Sequence, residues 1–205
     1  MEIRSASYSK YDDVIKVGEN KVRLYDSCLK ESWDYELEQP PISVCMDEKF
    51  GYAICNDNFI RKFDLGTART IHKWPIPINA PFHHQMVVIN EKVYYCNVKK
   101  NEIIIFSSTK ESPLKESIMS LRALDKPAYI ADNTKHEKET VIIAGSSSVG
   151  KFPIMRGYCQ ATWCITVENA RGISVDARGL IYVAKCHPSE IYLLSQKRGK
   201  SRDLL

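Results

Sequence analysis

The feature that most constrains this chain of 205 residues is a group of three short apolar segments that recurs along it. The clearest copy is RGISVDARGLIYVAKCHPSEIYLLS (171–195), whose apolar segments at 173–176, 180–184 and 191–195 are separated by polar breaks. Similar groups occupy residues 12–26, 44–64, 87–107 and 128–155. The spacing of roughly 40 to 48 residues is typical of repeat proteins, in which each copy is one small structural unit.

The tryptophans give an independent measure of the same period. Trp33 and Trp74 lie roughly 40 residues apart, and Trp163 follows after about two more such intervals. Each of them comes after the third apolar segment of its copy, which predicts a fourth strand there. Four short strands in a unit of this length are typical of a β-propeller blade.

We therefore predict an all-β propeller of about five four-stranded blades. One blade cannot bury both faces of its small sheet, and packing blade against blade does so. Helical repeats are excluded because no apolar i, i+3, i+4 pattern lasts longer than about two turns. The predicted blades are residues 12–38, 39–77, 78–120, 121–169 and 170–205, after an N-terminal segment at 1–11.

The polar breaks also match between copies. Aligning 44–64 with 173–195 places Asp47 on Asp176 and Tyr52 on Ile181, and Asn90 occupies the aspartate position of a third copy. The break at 176–179 predicts the turn between the first two strands, A and B, with Gly179 supplying backbone freedom.

The two ends of the chain predict an incomplete propeller. Residues 14–17 fit strand B of the first blade, so its strand A has to come from 1–11 or from a C-terminal extension. The basic tail at 196–205 only enters the outer strand of the last blade. Since propellers usually close by building one blade from both chain ends, we expect an open arc of four to five blades, a truncated six-bladed propeller.

Targeting and redox signals point to a cytoplasmic protein without a membrane partner. No apolar run approaches the roughly 18 residues of a membrane-spanning helix, and the N-terminus lacks a signal-peptide core. The seven cysteines include no C-x-x-C pair. Those in apolar segments are interpreted as buried free thiols, namely Cys45, Cys55, Cys96 and Cys164.

The last blade resembles the NHL repeat. The residues that follow its G-x-x-V-D-x-x-G-x-x-Y-V-A order are Gly172, Val175, Asp176, Gly179, Tyr182, Val183 and Ala184. The wider arrangement over 12–205 resembles the C-terminal propeller of invertebrate tripartite-motif (TRIM-NHL-like) proteins, although the other blades lack the glycines. The kelch-type propeller is the second choice, and it lacks its Gly-Gly pair here.

The resemblance implies a non-catalytic binding module, the part of a TRIM-type ubiquitin ligase that recognises its substrate. The RING and B-box regions that such ligases use have no counterpart in this sequence, so no ligase activity is expected of it. An RNA-binding NHL domain is the alternative. The net charge of +4 is concentrated in the tail, which leaves the body without a basic field for phosphate.

A propeller hydrolase is the third and weakest interpretation. The five histidines, His72, His83, His84, His136 and His187, have no metal-ligand spacing. GSSSVGK (145–151) has the glycines and lysine of a phosphate-binding loop, but Phe152 replaces the required Ser or Thr. We interpret it as the B–C loop of the fourth blade. No catalytic residue, metal or cofactor is therefore expected.

Binding is predicted at the propeller face that carries the B–C and D–A loops. Its basic and apolar side chains would contact a protein target, with RNA as the alternative partner. The candidate contact residues are Asn56, Asp57, Asn58, Phe59, Phe82, Lys99, Lys100, Arg171, Lys185 and His187.

Overall fold

The structure is a computed structural model that describes residues 5–8, 14–18, 21–25, 28, 30–76, 85–109, 115–186, 189–195 and 201–204. Across these residues the chain is all-β: its strands form five separate sheets, and the only helical element is a single 3-10 turn at Val98–Lys100. Each sheet contains four antiparallel strands, consecutive along the chain except in the fourth sheet, where a short strand of another sheet intervenes, so the predicted β-propeller of five blades is confirmed. Within the described ranges no helix is long and apolar enough to cross a membrane.

The strands are numbered in chain order. Blade 1 consists of β1 (Ser5–Tyr8), β2 (Val14–Gly18), β3 (Lys21–Tyr25) and β4 (Glu31–Glu36). Blade 2 consists of β5 (Pro41–Met46), β6 (Phe50–Cys55), β7 (Phe59–Asp64) and β8 (Thr70–Pro75). Blade 3 consists of β9 (Met86–Ile89), β10 (Lys92–Asn97), β11 (Glu102–Ser107) and β12 (Lys115–Leu121). Blade 4 consists of β13 (Tyr129–Asp132), β14 (Thr140–Ala144), β15 (Ser148–Pro153) and β17 (Trp163–Thr166), with β16 (Gly157–Cys159) between the last two. Blade 5 consists of β18 (Ala170–Val175), β19 (Leu180–Lys185), β20 (Ile191–Ser195) and β21 (Ser201–Leu204).

Both terminal blades have four strands. In blade 1, strand β1 lies antiparallel to β2, with Ser5 opposite Val17 and Tyr8 opposite Val14. It takes the strand A position that the sequence left to residues 1–11 or to an extension. In blade 5, β21 pairs with β20 along its whole length, so the tail forms strand D.

The blades form two compact units, blades 1 and 2 in the first and blades 3, 4 and 5 in the second. Blade 4 shows how alternation builds the core of the second unit. Val141 and Ile143 pack in the cluster shared with blade 3, while Ile142 and Ala144 pack in the cluster shared with blade 5. Each of these side chains is fully buried, and burying an aliphatic side chain stabilises the fold by about 1.5–3 kcal/mol.

Burial decreases toward the outer strand in blades 2 and 4. Every residue of β14 is buried, whereas β17, the outer strand of the same blade, has only exposed and half-buried residues. Cys45, Cys55 and Cys96 are buried as predicted, but Cys164 is exposed. The prediction for Cys164 was wrong because this cysteine lies on an outer strand, which has neighbours on fewer sides.

The A–B turns explain the recurring aspartate and correct its alignment. Asp47 Oδ1 accepts the N–H groups of Lys49 and Phe50 at 2.8 and 2.7 Å, and the Tyr52 hydroxyl donates to Asp47 Oδ2 at 3.0 Å. In blade 5 the Tyr182 hydroxyl donates to Asp176 Oδ2 at 3.2 Å. Tyr52 therefore corresponds to Tyr182 and not to Ile181.

Blade 5 needs one more residue in its turn. Asp176 Oδ1 accepts the N–H of Leu180, and the extra position is absorbed at Gly179, whose φ is 80°. This left-handed conformation favours glycine. In blade 3, Asn90 and Glu91 are themselves the two turn residues, with φ values of 47° and 58°.

Blade 3 has a fifth strand that the sequence did not predict. The connection between β15 and β17 of blade 4 contains β16, which pairs in parallel with β12, the outer strand of blade 3. Tyr158 lies opposite Ser120, and Cys159 opposite Leu121. The outer edge of blade 3 is thereby covered by a segment of the neighbouring blade.

Candidate binding face

One end of the second unit carries all of its B–C and D–A turns, because consecutive antiparallel strands alternate in direction. We call this end the turn face. Its B–C turns are at 98–101 and 145–147 and between β19 and β20, and its D–A turns are at 122–128 and 167–169. The sequence predicted these turns to share one face.

A series of hydrogen bonds links the turns across all three blades. The N–H of Lys126 donates to Asn101 Oδ1 at 2.9 Å, and the N–H of Ser146 donates to the Asp125 carbonyl at 3.0 Å. The Asn169 N–H then donates to the Ser146 carbonyl at 3.3 Å, and the Cys186 N–H to the Asn169 carbonyl at 3.2 Å. Most of these groups belong to the main chain. We call this series the turn network.

Gly145 allows the closest approach in the turn network. A Cβ at this position would lie 2.2 Å from the Asp125 carbonyl oxygen, which is main chain. The glycine therefore serves the packing of two turns and not a phosphate. Ser148–Pro153 is strand β15, so the predicted loop at 145–150 is shorter than expected. Lys151 is buried and pairs with Glu137.

The predicted contact residues of the second unit differ in their exposure and in their contacts with other residues of the chain. Lys99 and Lys100 are exposed on the 3-10 turn and have no carboxylate partner among the described residues. Arg171 is exposed but lies within β18. Lys185 ends β19 and is engaged, because its Nζ donates to the Tyr192 hydroxyl at 3.2 Å and lies 3.5 Å from Glu190 Oε2.

The neighbour of Arg171 is Tyr129, whose pKa is raised. Burial of the Tyr129 hydroxyl raises this pKa, and the positive charge of Arg171 acts in the opposite direction. Tyr129 is therefore a neutral phenol at physiological pH. Tyr129 is buried, so Arg171 is the exposed member of the pair.

The predicted contact residues of the first unit are largely occupied by internal contacts. Asp57 accepts two hydrogen bonds from Arg61, at 2.9 Å from Nη1 and 2.6 Å from Nη2. These bonds hold the pKa of the Asp57 carboxyl below its usual range. Lys73 Nζ lies 3.4 Å from Asp57 and 4.5 Å from the centre of the Phe59 ring. Asn56 is exposed, and Asn58 adopts a φ of 61° in the same turn.

The remaining candidates divide into two groups. Phe82 and His187 lie outside the described residues, as do His83 and His84. His72 stacks on Trp74, with ring centres 5.8 Å apart, and His136 Nε2 lies 2.8 Å from the Asp176 carbonyl oxygen. In the part of the chain that the structure describes, no group of three or more His, Cys, Asp or Glu could hold a metal ion.

An exposed patch at the outer edge of blade 3 was not predicted from the sequence. We call it the edge patch, and it consists of Arg122, Met155, Arg156 and Tyr158. Tyr158 is 71% exposed, and the Arg122 guanidinium lies 4.7 Å from the centre of its ring. The one available signal was the length of the C–D connection at 154–162, since hairpin loops usually have about 2–5 residues.

No family model and no curated protein matches this chain. The structure is similar to hydrazine synthase from Kuenenia stuttgartiensis, with a TM-score of 0.71 at 10% sequence identity. The match covers 98% of this chain and 65% of that one, so the chain spans less than two thirds of the length of its structural neighbour. At this identity the likeness shows the propeller fold alone.

Proposed function

We propose that this chain is a non-catalytic module that binds a protein target through the turn face. The observation that supports this most is the turn network, which holds the tips of adjacent turns in fixed positions while Lys99 and Lys100 remain exposed. A rigid frame with free side chains binds at a lower entropic cost than mobile loops do. The two lysines favour a target with carboxylates on its surface.

The more specific proposal is that the module recognises substrates for a TRIM-type ubiquitin ligase in the cytoplasm. Its support is the NHL-like order of blade 5, where Asp176, Gly179 and Tyr182 together hold the A–B turn. On this proposal the ligase chemistry belongs to RING and B-box regions, and the propeller contributes recognition alone.

Affinity capture with a charge-reversed variant tests the proposal. The full chain, Lys99→Glu/Lys100→Glu and Lys138→Glu are each used to capture proteins from a cell extract, followed by quantitative mass spectrometry. Lys138 is the matched control, because it is exposed in the A–B turn of blade 4, at the opposite end of the same unit. We expect partners that the wild type and the control retain and that the double variant loses.

Two results would count against it. The first is a set of captured proteins that does not differ between the double variant and the control. The second is binding of single-stranded RNA by the wild type with an affinity that falls steeply as salt is added, because such a dependence identifies phosphate contacts. That result would favour the RNA-binding NHL interpretation.

A further inference from the structure

Strand β16 has an open edge. Its inner side faces β12, where the Arg122 N–H donates to the Cys159 carbonyl at 3.3 Å. Among the described residues no strand pairs with its other side. Since the main-chain groups of consecutive strand residues point to opposite edges, the N–H and C=O of Tyr158 point away from β12. A donor and an acceptor are therefore presented at the outer edge of blade 3.

The side chains around this edge are those that protein interfaces favour. Tyr158 is 71% exposed and Met155 46% exposed, and Tyr, Met and Arg are enriched at interfaces. Arg122 and Arg156 are exposed, and neither forms an ion pair within the described part of the chain. The edge thus combines an aromatic anchor with two positive charges that have no carboxylate partner among the described residues.

Gly157 shapes the entry into the strand. Its φ is +81°, in the left-handed region, and no atom lies within 4 Å of the Cβ it would carry. The glycine lets the chain turn beside β12 and leaves space next to the edge. The main chain at Gly157 is therefore not covered by a neighbouring side chain.

We propose that β16 is a docking site for an extended, acidic protein segment that pairs with its open edge as the sixth strand of the blade 3 sheet. The segment would bond to the main chain of Tyr158 and place an apolar side chain on its ring. Its carboxylates would pair with Arg122 and Arg156. Main-chain pairing supplies affinity and side-chain contacts supply specificity in this mode of recognition.

The positive charges of Arg122 and Arg156, together with the open edge of β16, favour an acidic peptide segment over other partners. A second copy of the chain would bring two more arginines to the same place, and like charges repel. A nucleic acid would use the arginines and the tyrosine but has no peptide groups to pair with the open edge. The inference does not rest on the proposed function, because it needs the open edge of β16 and the side chain of Tyr158, which belong to a strand and not to a turn. Arg122 is the one residue of the edge patch that also belongs to a turn of the turn face, the D–A turn at 122–128.

The probe for this site is a fluorescent random copolymer of glutamate and tyrosine in a ratio of about 4:1. Its binding to the full chain is measured by fluorescence anisotropy. We expect Tyr158→Ser to weaken binding by about tenfold, and Arg122→Gln/Arg156→Gln by about as much. Arg122→Lys/Arg156→Lys keeps both charges but loses the planar guanidinium over the Tyr158 ring, so it should weaken binding less than the glutamine pair does.

Matched controls separate the edge patch from other surfaces. Ile191→Ser alters another exposed apolar residue of the same unit, at 55% exposure, and Lys99→Gln/Lys100→Gln removes the cations of the turn face. Both should keep wild-type affinity for the copolymer. All substituted positions are exposed, so the variants should melt within a few degrees of the wild type, which circular dichroism checks.

Hydrogen exchange with mass spectrometry tests the pairing itself. Bound copolymer should slow amide exchange in the peptide that contains Gly157–Cys159. Several results would overturn the proposal: no binding by the wild type, equal binding by Tyr158→Ser, or no protection of β16. Two further probes are a copolymer of lysine and tyrosine and a single-stranded oligonucleotide, and the proposal is overturned if either binds as tightly as the acidic copolymer. It is also overturned if sedimentation shows that the edge instead joins two copies of the chain.

Discussion

At the scale of single residues, Arg61 is a buried cation of the first unit that depends on a carboxylate partner. It is only 3% exposed, and Asp57 is its closest partner, with Glu38 at 3.7 Å. A buried guanidinium that loses its carboxylate keeps the cost of being removed from water. We expect Asp57→Asn to destabilise the protein by about 2 kcal/mol at pH 7, as measured by urea unfolding.

The effect of this substitution should depend on pH in a defined direction. The pKa of Asp57 is lowered in the folded protein by the hydrogen bonds from Arg61. The stabilisation it provides is therefore complete above the pKa of the unfolded chain, about 4, and disappears as the pH falls through the folded value. The difference between wild type and Asp57→Asn should shrink from pH 7 to pH 3.

The matched control is Asp34→Asn. Asp34 also bonds to a cation, Lys21, at 2.8 Å, but both groups are exposed. Exposed pairs contribute little, so this variant should unfold nearly as the wild type does at every pH. Equal losses for the two variants would show that the burial of Arg61 does not set the cost.

Gly145 and Gly172 are expected to respond oppositely to a methyl group. In Gly145→Ala the new Cβ would meet the Asp125 carbonyl oxygen at 2.2 Å, so two turns have to separate. In Gly172→Ala the nearest atom is Ala184 Cβ at an ordinary 3.8 Å. We expect a loss of about 2 kcal/mol or more for the first and less than about 1 kcal/mol for the second, measured by thermal unfolding. A loss in Gly172→Ala as large as that in Gly145→Ala would contradict this.

Residue roles were harder to predict than residue positions. The sequence placed Asp57 in the B–C turn, where the structure has it, whereas Phe59 is the first residue of β7. The sequence did not show that Asp57 would pair with Arg61, or that Lys73 would lie over the Phe59 ring. Lys73 lies on the next strand, and its distance from Phe59 depends on how β7 and β8 pair. Such a contact is set by register between strands, which side-chain order alone does not specify.

At the scale of the strand, position within the blade decides how a thiol behaves. Burial raises the pKa of the Cys55 and Cys159 thiols to about 11, and that of Cys45 well above its usual value. Cys164 is exposed on the outer strand β17. Because the thiolate is the reactive form, Cys164 should react with Ellman's reagent in the native protein, while Cys159 should react only after unfolding.

Single serine variants provide the measurement. Cys164→Ser should lower the number of thiols that react quickly at pH 8, and Cys159→Ser should leave that number unchanged. In urea both variants should show the same total. If Cys159→Ser instead removed a fast-reacting thiol, the strand that carries it would be less protected than its burial indicates.

Strands with strong apolar alternation were predictable, and strands without it were not. The prediction of 191–195 coincides with β20. By contrast, β1 has the sequence SASY, and β16 has GYC. Both are terminal strands of their sheets, and both are too short to show an apolar alternation. Cys159 of β16 is buried, but one buried residue in a three-residue strand does not make a pattern that the sequence reveals.

At the scale of the whole molecule, the fold followed from its period. The four-strand unit requires only alternating apolar residues and short turns, a condition that very different sequences can meet. The 10% identity over 98% of the chain to a solved propeller agrees with this. Because very different sequences form this unit, the repeat period does not predict what a propeller binds. The residues available for contacts lie in turns, which contribute little to the repeat.

The turn network has a consequence for how such a chain can change over generations. Its hydrogen bonds join mainly peptide groups, and Asn101 is the one residue that contributes a side chain. Gly145 allows its turn to lie close to the main chain of Asp125. Substitutions at turn tips such as Lys99 leave these bonds intact. The side chains of the surface can therefore change during evolution while the arrangement of the turns stays the same. Descendants of this chain can therefore acquire new surface chemistry at these turns without losing the fold.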